Sequence, residues 1–156
     1  MRYSGIYLSM ILALLLGGCA NPNTIIDDNK EIPNHNWAYV NRAAYDVQID
    51  DPNSLYNIYC NLRITADYKY SNIFIIFRRG EHGKKPQATR YEFKLANPDG
   101  EWLGAGSGNV YSYRFKLLTN YKLPAKGKYH FELEQNMRDN PLKGVSDAGI
   151  TIEKVK

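Results

Sequence analysis

Residues 55–65 read Leu-Tyr-Asn-Ile-Tyr-Cys-Asn-Leu-Arg-Ile-Thr and give the first indication of the fold. Apolar side chains alternate with more polar ones, and a period of two puts the two sets on opposite faces of a β-strand. We therefore predict a strand with one buried face, on which Cys60 is a small hydrophobe and not a catalytic or metal-binding thiol. The apolar set is Tyr56, Ile58, Cys60, Leu62 and Ile64.

The same period recurs along the rest of the chain, at 45–49, 73–77, 91–95, 111–117, 129–133 and 150–152. The run 73–77 is apolar on both faces, which predicts a central strand. Turn-forming sequences such as Asp-Pro-Asn at 51–53 and Asn-Pro-Asp-Gly at 97–100 separate the runs. This pattern predicts an all-β fold: a single antiparallel β-sandwich, jelly-roll or Ig-like, with seven or eight strands.

The first 18 residues have the organisation of a lipoprotein signal peptide. Arg2 supplies a positive start, and the apolar run that begins at Ile6 is too short to span a bilayer comfortably. The run ends in Leu16-Gly17-Gly18-Cys19, a lipobox in which the Cys19 thiol is the nucleophile that receives a diacylglyceryl group. We predict Cys19 as the lipid attachment site, so that the mature protein is attached to a membrane by its lipid anchor.

Composition predicts three segments: a signal peptide at 1–18, a lipidated flexible tether at 19–36 and a β-sandwich domain at 37–156. The tether is assigned because Asn, Asp and Pro dominate it. The formal net charge of +4 falls to about +3 when Arg2 is removed with the signal peptide, and charges of both signs are interspersed. This is not the charge pattern of a nucleic-acid-binding protein.

Residues with catalytic chemistry are few and scattered. His35, His82 and His130 lie in the tether, in a hairpin loop and on the outward face of a strand. No metal-ligand spacing links them to Cys60. We therefore expect no catalytic residue, no cofactor and no metal, and a protein that is not an enzyme. Carboxylates from different strands could still converge, which leaves an envelope hydrolase as an open alternative.

Two surface features leave a further alternative open. The basic residues near the 80–83 turn, such as Lys84 and Lys85, suit a solvated hairpin better than a site for phosphate-bearing lipid or anionic glycan. Trp37, Trp102 and the many tyrosines could stack on sugars, although most of these rings lie at core positions. A glycan-binding surface lipoprotein is therefore the competing interpretation.

Several segments, in this order, resemble the gliding motility lipoprotein GldH family. They run from about Trp37 to the C-terminus and are Tyr56-Asn57-Ile58, Asn61-Leu62-Arg63, Tyr68-Lys69-Tyr70-Ser71-Asn72, Ala96-Asn97-Pro98-Asp99-Gly100, Trp102-Leu103-Gly104, Gln135-Asn136-Met137-Arg138 and Leu142-Lys143-Gly144-Val145, followed by Asp147, Gly149, Ile152 and Glu153.

The resemblance implies a non-catalytic envelope lipoprotein, carrying palmitate or another acyl chain on Cys19, that acts as a scaffold or assembly component in gliding motility and type IX protein secretion. Its implied partners are other envelope proteins of that machinery. No acidic cluster directly follows Cys19, so we expect the periplasmic side of the outer membrane and not surface display. From the residues alone, we expect Asp147 in a turn into the last strand and Arg138 paired with Asp139 or Asp147.

Overall fold

The protein is described by a computed structural model that covers residues 21–106 and 108–155. Ten strands and one 3-10 turn at Pro33–His35 make up its regular structure, and the predicted all-β sandwich is confirmed. The strands are β1 Thr24–Glu31, β2 Asn36–Trp37, β3 Ala43–Ile49, β4 Leu55–Thr65, β5 Asn72–Glu81, β6 Gln87–Lys94, β7 Val110–Lys122, β8 Gly127–Gln135, β9 Leu142–Lys143 and β10 Val145–Lys154.

Two four-stranded antiparallel sheets form the two layers. The first has the order β1-β10-β4-β7 and the second the order β3-β8-β5-β6, while β2 and β9 pair in a short separate ladder. Strand β5 is central, as its two apolar faces predict. The apolar faces of the sheets share one buried core, in which Ile58, Cys60 and Phe77 are fully buried. Burial raises the pKa of the Cys60 thiol, which agrees with a packing role for this side chain.

All seven predicted runs are strands, but the structure adds β1, β2 and β9, so the count is ten rather than seven or eight. The predicted flexible tether at 19–36 is corrected by the structure, because β1 lies within this range. Residues from Thr24 to Glu31 pair with β10 along its length, although almost every side chain of β1 is exposed. Main-chain hydrogen bonds at a sheet edge hold this strand, and they leave no apolar period in the sequence.

The connections place the loops at two opposite ends of the sandwich. We call the end with the loops at 66–71 and 136–141 the motif end. We call the end with the loops at 50–54, 82–86 and 123–126 the histidine end. Strand β5 runs from one end to the other, and its ten residues span roughly 33 Å at about 3.3 Å per residue. Within the described residues, no helix has the length and apolar character needed to cross a membrane.

Candidate functional site

Most of the segments that resemble the GldH family meet at the motif end. The segment 68–72 connects β4 to β5, and 135–138 and 142–145 lie between β8 and β10. The segment 96–104 joins them, because the amides of Leu95 and Ala96 both donate to the carbonyl of Ser71, at 2.7 and 3.1 Å. The exceptions are Tyr56-Asn57-Ile58, near the start of β4, and Ile152 and Glu153, which pair with Ile58 and Asn57 near the end of β10. Segments that are far apart in sequence therefore build one surface.

Gln135 holds the loop after β8 in place. Its side chain is completely buried, and its amide nitrogen donates to the carbonyls of Trp37 at 3.2 Å and Asp139 at 3.0 Å. Its amide oxygen accepts a hydrogen bond from the main-chain nitrogen of Met137 at 2.8 Å. One buried side chain thus forms hydrogen bonds with three main-chain groups, which lie in β2 and in the loop after β8.

The loop held by Gln135 forms one wall of a concave surface, which we call the motif groove. The Arg90 guanidinium lies 3.7 Å from the centre of the Phe74 ring and donates to the Asn136 side-chain oxygen at 2.8 Å. The Met137 sulfur accepts the Phe74 amide at 3.3 Å. The groove has a volume of about 480 Å³, and its lining residues are Tyr70, Phe74, Arg90, Asn136, Met137 and Arg138.

A second depression continues from the motif groove and shares Tyr70 and Arg138 with it. The Tyr70 hydroxyl donates to the Asp139 carboxylate at 2.8 Å, and this hydrogen bond raises the pKa of Tyr70. Tyr68, which is buried, packs edge-to-face on Tyr70 with ring centres 6.0 Å apart. The aromatic wall between the two depressions is therefore fixed by packing and by a hydrogen bond.

Gly144 explains why the segments 68–72 and 142–145 lie so close together. Its φ of +86° favours glycine, and an added Cβ would come within 2.8 Å of the Tyr68 Cα. Its amide donates to the His35 carbonyl, and its carbonyl accepts the Thr65 amide at 2.9 Å. The chain at Gly144 is thus clamped between two neighbouring segments, and no larger residue fits there without moving one of them.

A buried carboxylate lies beside the same end. Asp147 accepts from the Arg63 guanidinium at 2.8 and 2.7 Å and from the Ser146 hydroxyl at 2.6 Å. Burial acts to raise the pKa of Asp147, but the hydrogen bonds from Arg63 and Ser146 outweigh it, so the pKa lies below its usual value. Asp147 lies inside β10 and not in the expected turn. Of the two carboxylates expected as partners of Arg138, Asp147 pairs with Arg63 and Asp139 accepts from the Tyr70 hydroxyl.

The other residues singled out from the sequence lie elsewhere. Trp37 is completely buried and donates its indole N–H to the Asn41 carbonyl at 2.7 Å, so it cannot stack on a sugar. Trp102 is half-buried and stacks on Tyr111, with ring centres 5.5 Å apart. Cys19, the predicted lipid attachment site, lies outside the described residues.

The histidine end brings together a cluster that the sequence did not predict. His130 in β8 pairs in register with Asp46 in β3 and with Gly80 in β5, which places His82 beside both. The Asp46 carboxylate lies 2.7 Å from His130 Nδ1 and 3.5 Å from His82 Nδ1. Its hydrogen bond with His130, helped by Lys128, lowers the pKa of Asp46 to about 2. The same hydrogen bond raises the pKa of His130.

Comparisons with known proteins find similarity over most of the chain. The family model described as GldH lipoprotein matches residues 24–152, a range that includes β1. A protein of Christiangramia forsetii named gliding motility lipoprotein GldH homolog is 29% identical over 151 residues, 92% of each chain. Gliding motility lipoprotein GldH of Flavobacterium johnsoniae is 26% identical over 161 residues, 99% of each chain. No solved structure matches.

Proposed function

The chain belongs to the GldH lipoprotein family, and from this membership we propose that it is a non-catalytic assembly component of the gliding motility apparatus. Its relatives are named gliding motility lipoproteins, which supports a motility role for a lipid-anchored envelope protein. We further propose that it acts as a scaffold and that it serves type IX protein secretion. The observation that carries the proposal is the gathering of the family-like segments around the motif groove.

The groove has the composition of a protein-docking site. Arginine, tyrosine and methionine are enriched in interface cores, and a few such residues carry most of the binding energy. Among the six lining residues that the structure describes, two are arginines and none is acidic. The proposed occupant is therefore another envelope protein of the gliding and secretion machinery, which presents carboxylates to Arg90 and Arg138.

The position of β1 supports this assignment of the groove. Thr24, the first residue of β1, pairs with Glu153 near the end of β10, at the histidine end. Five Cα–Cα steps from Cys19 to Thr24 reach at most about 18 Å. A lipid on Cys19, with residues 1–18 removed as a signal peptide, would thus hold the histidine end near the bilayer. The motif groove would then point away from the membrane, toward partners.

We propose that the protein lies at the outer membrane, on its periplasmic side. This placement rests on the lipobox and on the lack of an acidic cluster directly after Cys19. Protease shaving of intact cells tests it, since a periplasmic protein stays intact until the outer membrane is opened. A Cys19→Ala variant should lose its membrane attachment and appear in the soluble fraction.

The docking role is tested in the native bacterium by Arg138→Glu, which reverses a charge on the exposed rim of the groove. We expect loss of surface spreading, reduced export of adhesins, and loss of envelope proteins that co-purify with the parent. The matched control is Lys84→Glu at the histidine end, which should leave all three unchanged. Normal spreading and an unchanged set of co-purifying proteins in Arg138→Glu would contradict the docking proposal.

A second candidate function, glycan binding, rests on the stacked pair of Trp102 and Tyr111. Flat rings that remain partly exposed can pack against the apolar faces of sugars. A glycan array probed with the parent and with Trp102→Ala separates the two functions. Specific retention that Trp102→Ala abolishes would favour the glycan-binding interpretation over protein docking.

A further inference from the structure

At the histidine end, we propose that Asp46, His82 and His130 form a binding site for a divalent transition cation of the zinc type. Each residue offers one ligand atom, and these atoms all lie within 4.8 Å of one another. The three residues come from β3, the turn after β5 and β8, so the sandwich itself brings them together. This site goes beyond the docking function and does not depend on it.

The distances suit a small cation after modest side-chain movement. Tetrahedral Zn²⁺ with bonds of about 2.0 to 2.1 Å separates its ligands by about 3.3 Å. The Asp46 oxygen is already 3.5 Å from His82 Nδ1. Its 2.7 Å distance to His130 Nδ1 must open by roughly 0.6 Å. His82 lies in a turn with 56% of its side chain exposed, so its ring is free to adjust.

The groups around the cluster are those that commonly support a metal-bound histidine. His130 Nε2 lies 3.2 Å from the Glu132 carboxylate, and metal-binding histidines usually donate their second nitrogen to such a group. That contact directs Nδ1 toward Asp46 and His82. Lys128 lies 3.4 Å from the other Asp46 oxygen, so it leaves the oxygen that faces the histidines available.

The donor set selects the class of cation. Two imidazoles and one carboxylate suit zinc, nickel and copper, whereas magnesium and calcium prefer oxygen ligands. Three protein ligands leave a fourth position for water or for a donor from another molecule. A bound cation would tie the turn that contains His82 to β3 and β8. We therefore expect Zn²⁺ to raise the melting temperature as well as to bind.

The test uses the full-length lipoprotein in detergent micelles, purified through an affinity tag without histidines. Calorimetric titration with Zn²⁺ alone should show one saturable site per chain. His82→Ala and His130→Ala should each weaken binding at least about tenfold. The matched control, His35→Asn, removes a histidine at the opposite end with a residue that tolerates its positive φ, and it should bind Zn²⁺ like the parent.

Two results would overturn the proposal. One is the absence of saturable Zn²⁺ binding to the parent, and the other is unchanged affinity in both histidine variants. Circular dichroism should show that each variant retains the fold of the parent. If His130→Ala fails this control, His82→Ala decides the question alone, because its side chain is exposed and does not contribute to the core. Absorption bands of bound Co²⁺ that disappear in His82→Ala would identify nitrogen ligation directly.

Discussion

The two ends of strand β5 are built in opposite ways. At the motif end, the buried Gln135 satisfies three main-chain groups, and Asp147 is ion-paired with only 5% of its side chain exposed. At the histidine end, Asp46, His82 and His130 interact on the surface. The motif end can therefore keep one shape for a partner. The histidine end can change its ligands or its charge at little cost to the fold.

The largest effect that distinguishes the ends should come from two substitutions in the same strand, β8. Gln135→Ala removes three hydrogen bonds to buried or partly buried main-chain groups, and we expect it to lower the free energy of unfolding by about 2 to 4 kcal/mol. His130→Ala, five residues earlier, should change it by less than about 1 kcal/mol. Urea unfolding of both variants measures the difference. Equal losses of unfolding free energy in the two variants would contradict the proposed difference between the ends.

The ion pair between the buried Asp147 and the half-exposed Arg63 should produce a smaller effect that depends on pH. Because the folded state lowers the pKa of Asp147, its stabilisation is fully present above the unfolded pKa of about 3.9 and is lost as the pH falls through the lower folded value. Arg63→Met should cost about 1 to 2 kcal/mol at pH 7, since half of the Arg63 side chain is exposed.

Unfolding at pH 7, 5 and 3 tests this account of Asp147. The parent should lose part of its stability between pH 5 and pH 3, and Arg63→Met should lose less over the same range. Asp147→Asn, which cannot ionise at this position, serves as the control. A parent and an Asp147→Asn variant with parallel pH profiles would show that this carboxylate does not contribute.

The smallest effect on stability, and the most informative about docking, should come from Arg90. Replacing it with Ala removes its contact with the Phe74 ring and its hydrogen bond to Asn136, a loss of at most about 1 kcal/mol. Partner capture should nevertheless fall clearly, since the groove loses one of its two cations. Lys85→Ala at the histidine end is the matched control for both measurements. If Arg90→Ala captured partners as well as the parent does, Arg90 would be excluded from the interface.

The sequence predicts those strands in which apolar and polar residues alternate. Alternation identifies seven strands and the central place of β5, because burial on one or both faces produces that pattern. Strand β1 has mostly exposed side chains and is held by main-chain hydrogen bonds, so its composition resembles that of a tether. Strands β2 and β9 have two residues each, too few to show any period.

The candidate sites depend on which strands lie side by side in a sheet, and the sequence of a single strand does not reveal this. The pairing of Asp46 with His130 requires that β3 lie beside β8, and the approach of His82 requires that β5 lie on the other side of β8. The pairing of Asp147 with Arg63 likewise follows from the register of β10 on β4. The family-like segments did identify residues of the motif groove, although not that they share one surface.

Photo-crosslinking in living cells shows directly whether partners contact the motif end or the histidine end. A photoreactive amino acid is placed at Arg138 in one strain and at Lys84 in another, and crosslinked envelope proteins are identified by mass spectrometry. If the motif end is the docking surface, we expect specific adducts from position 138 and none from position 84. Adducts with a partner from position 84 alone, or equal adducts from both, would contradict docking at the motif end.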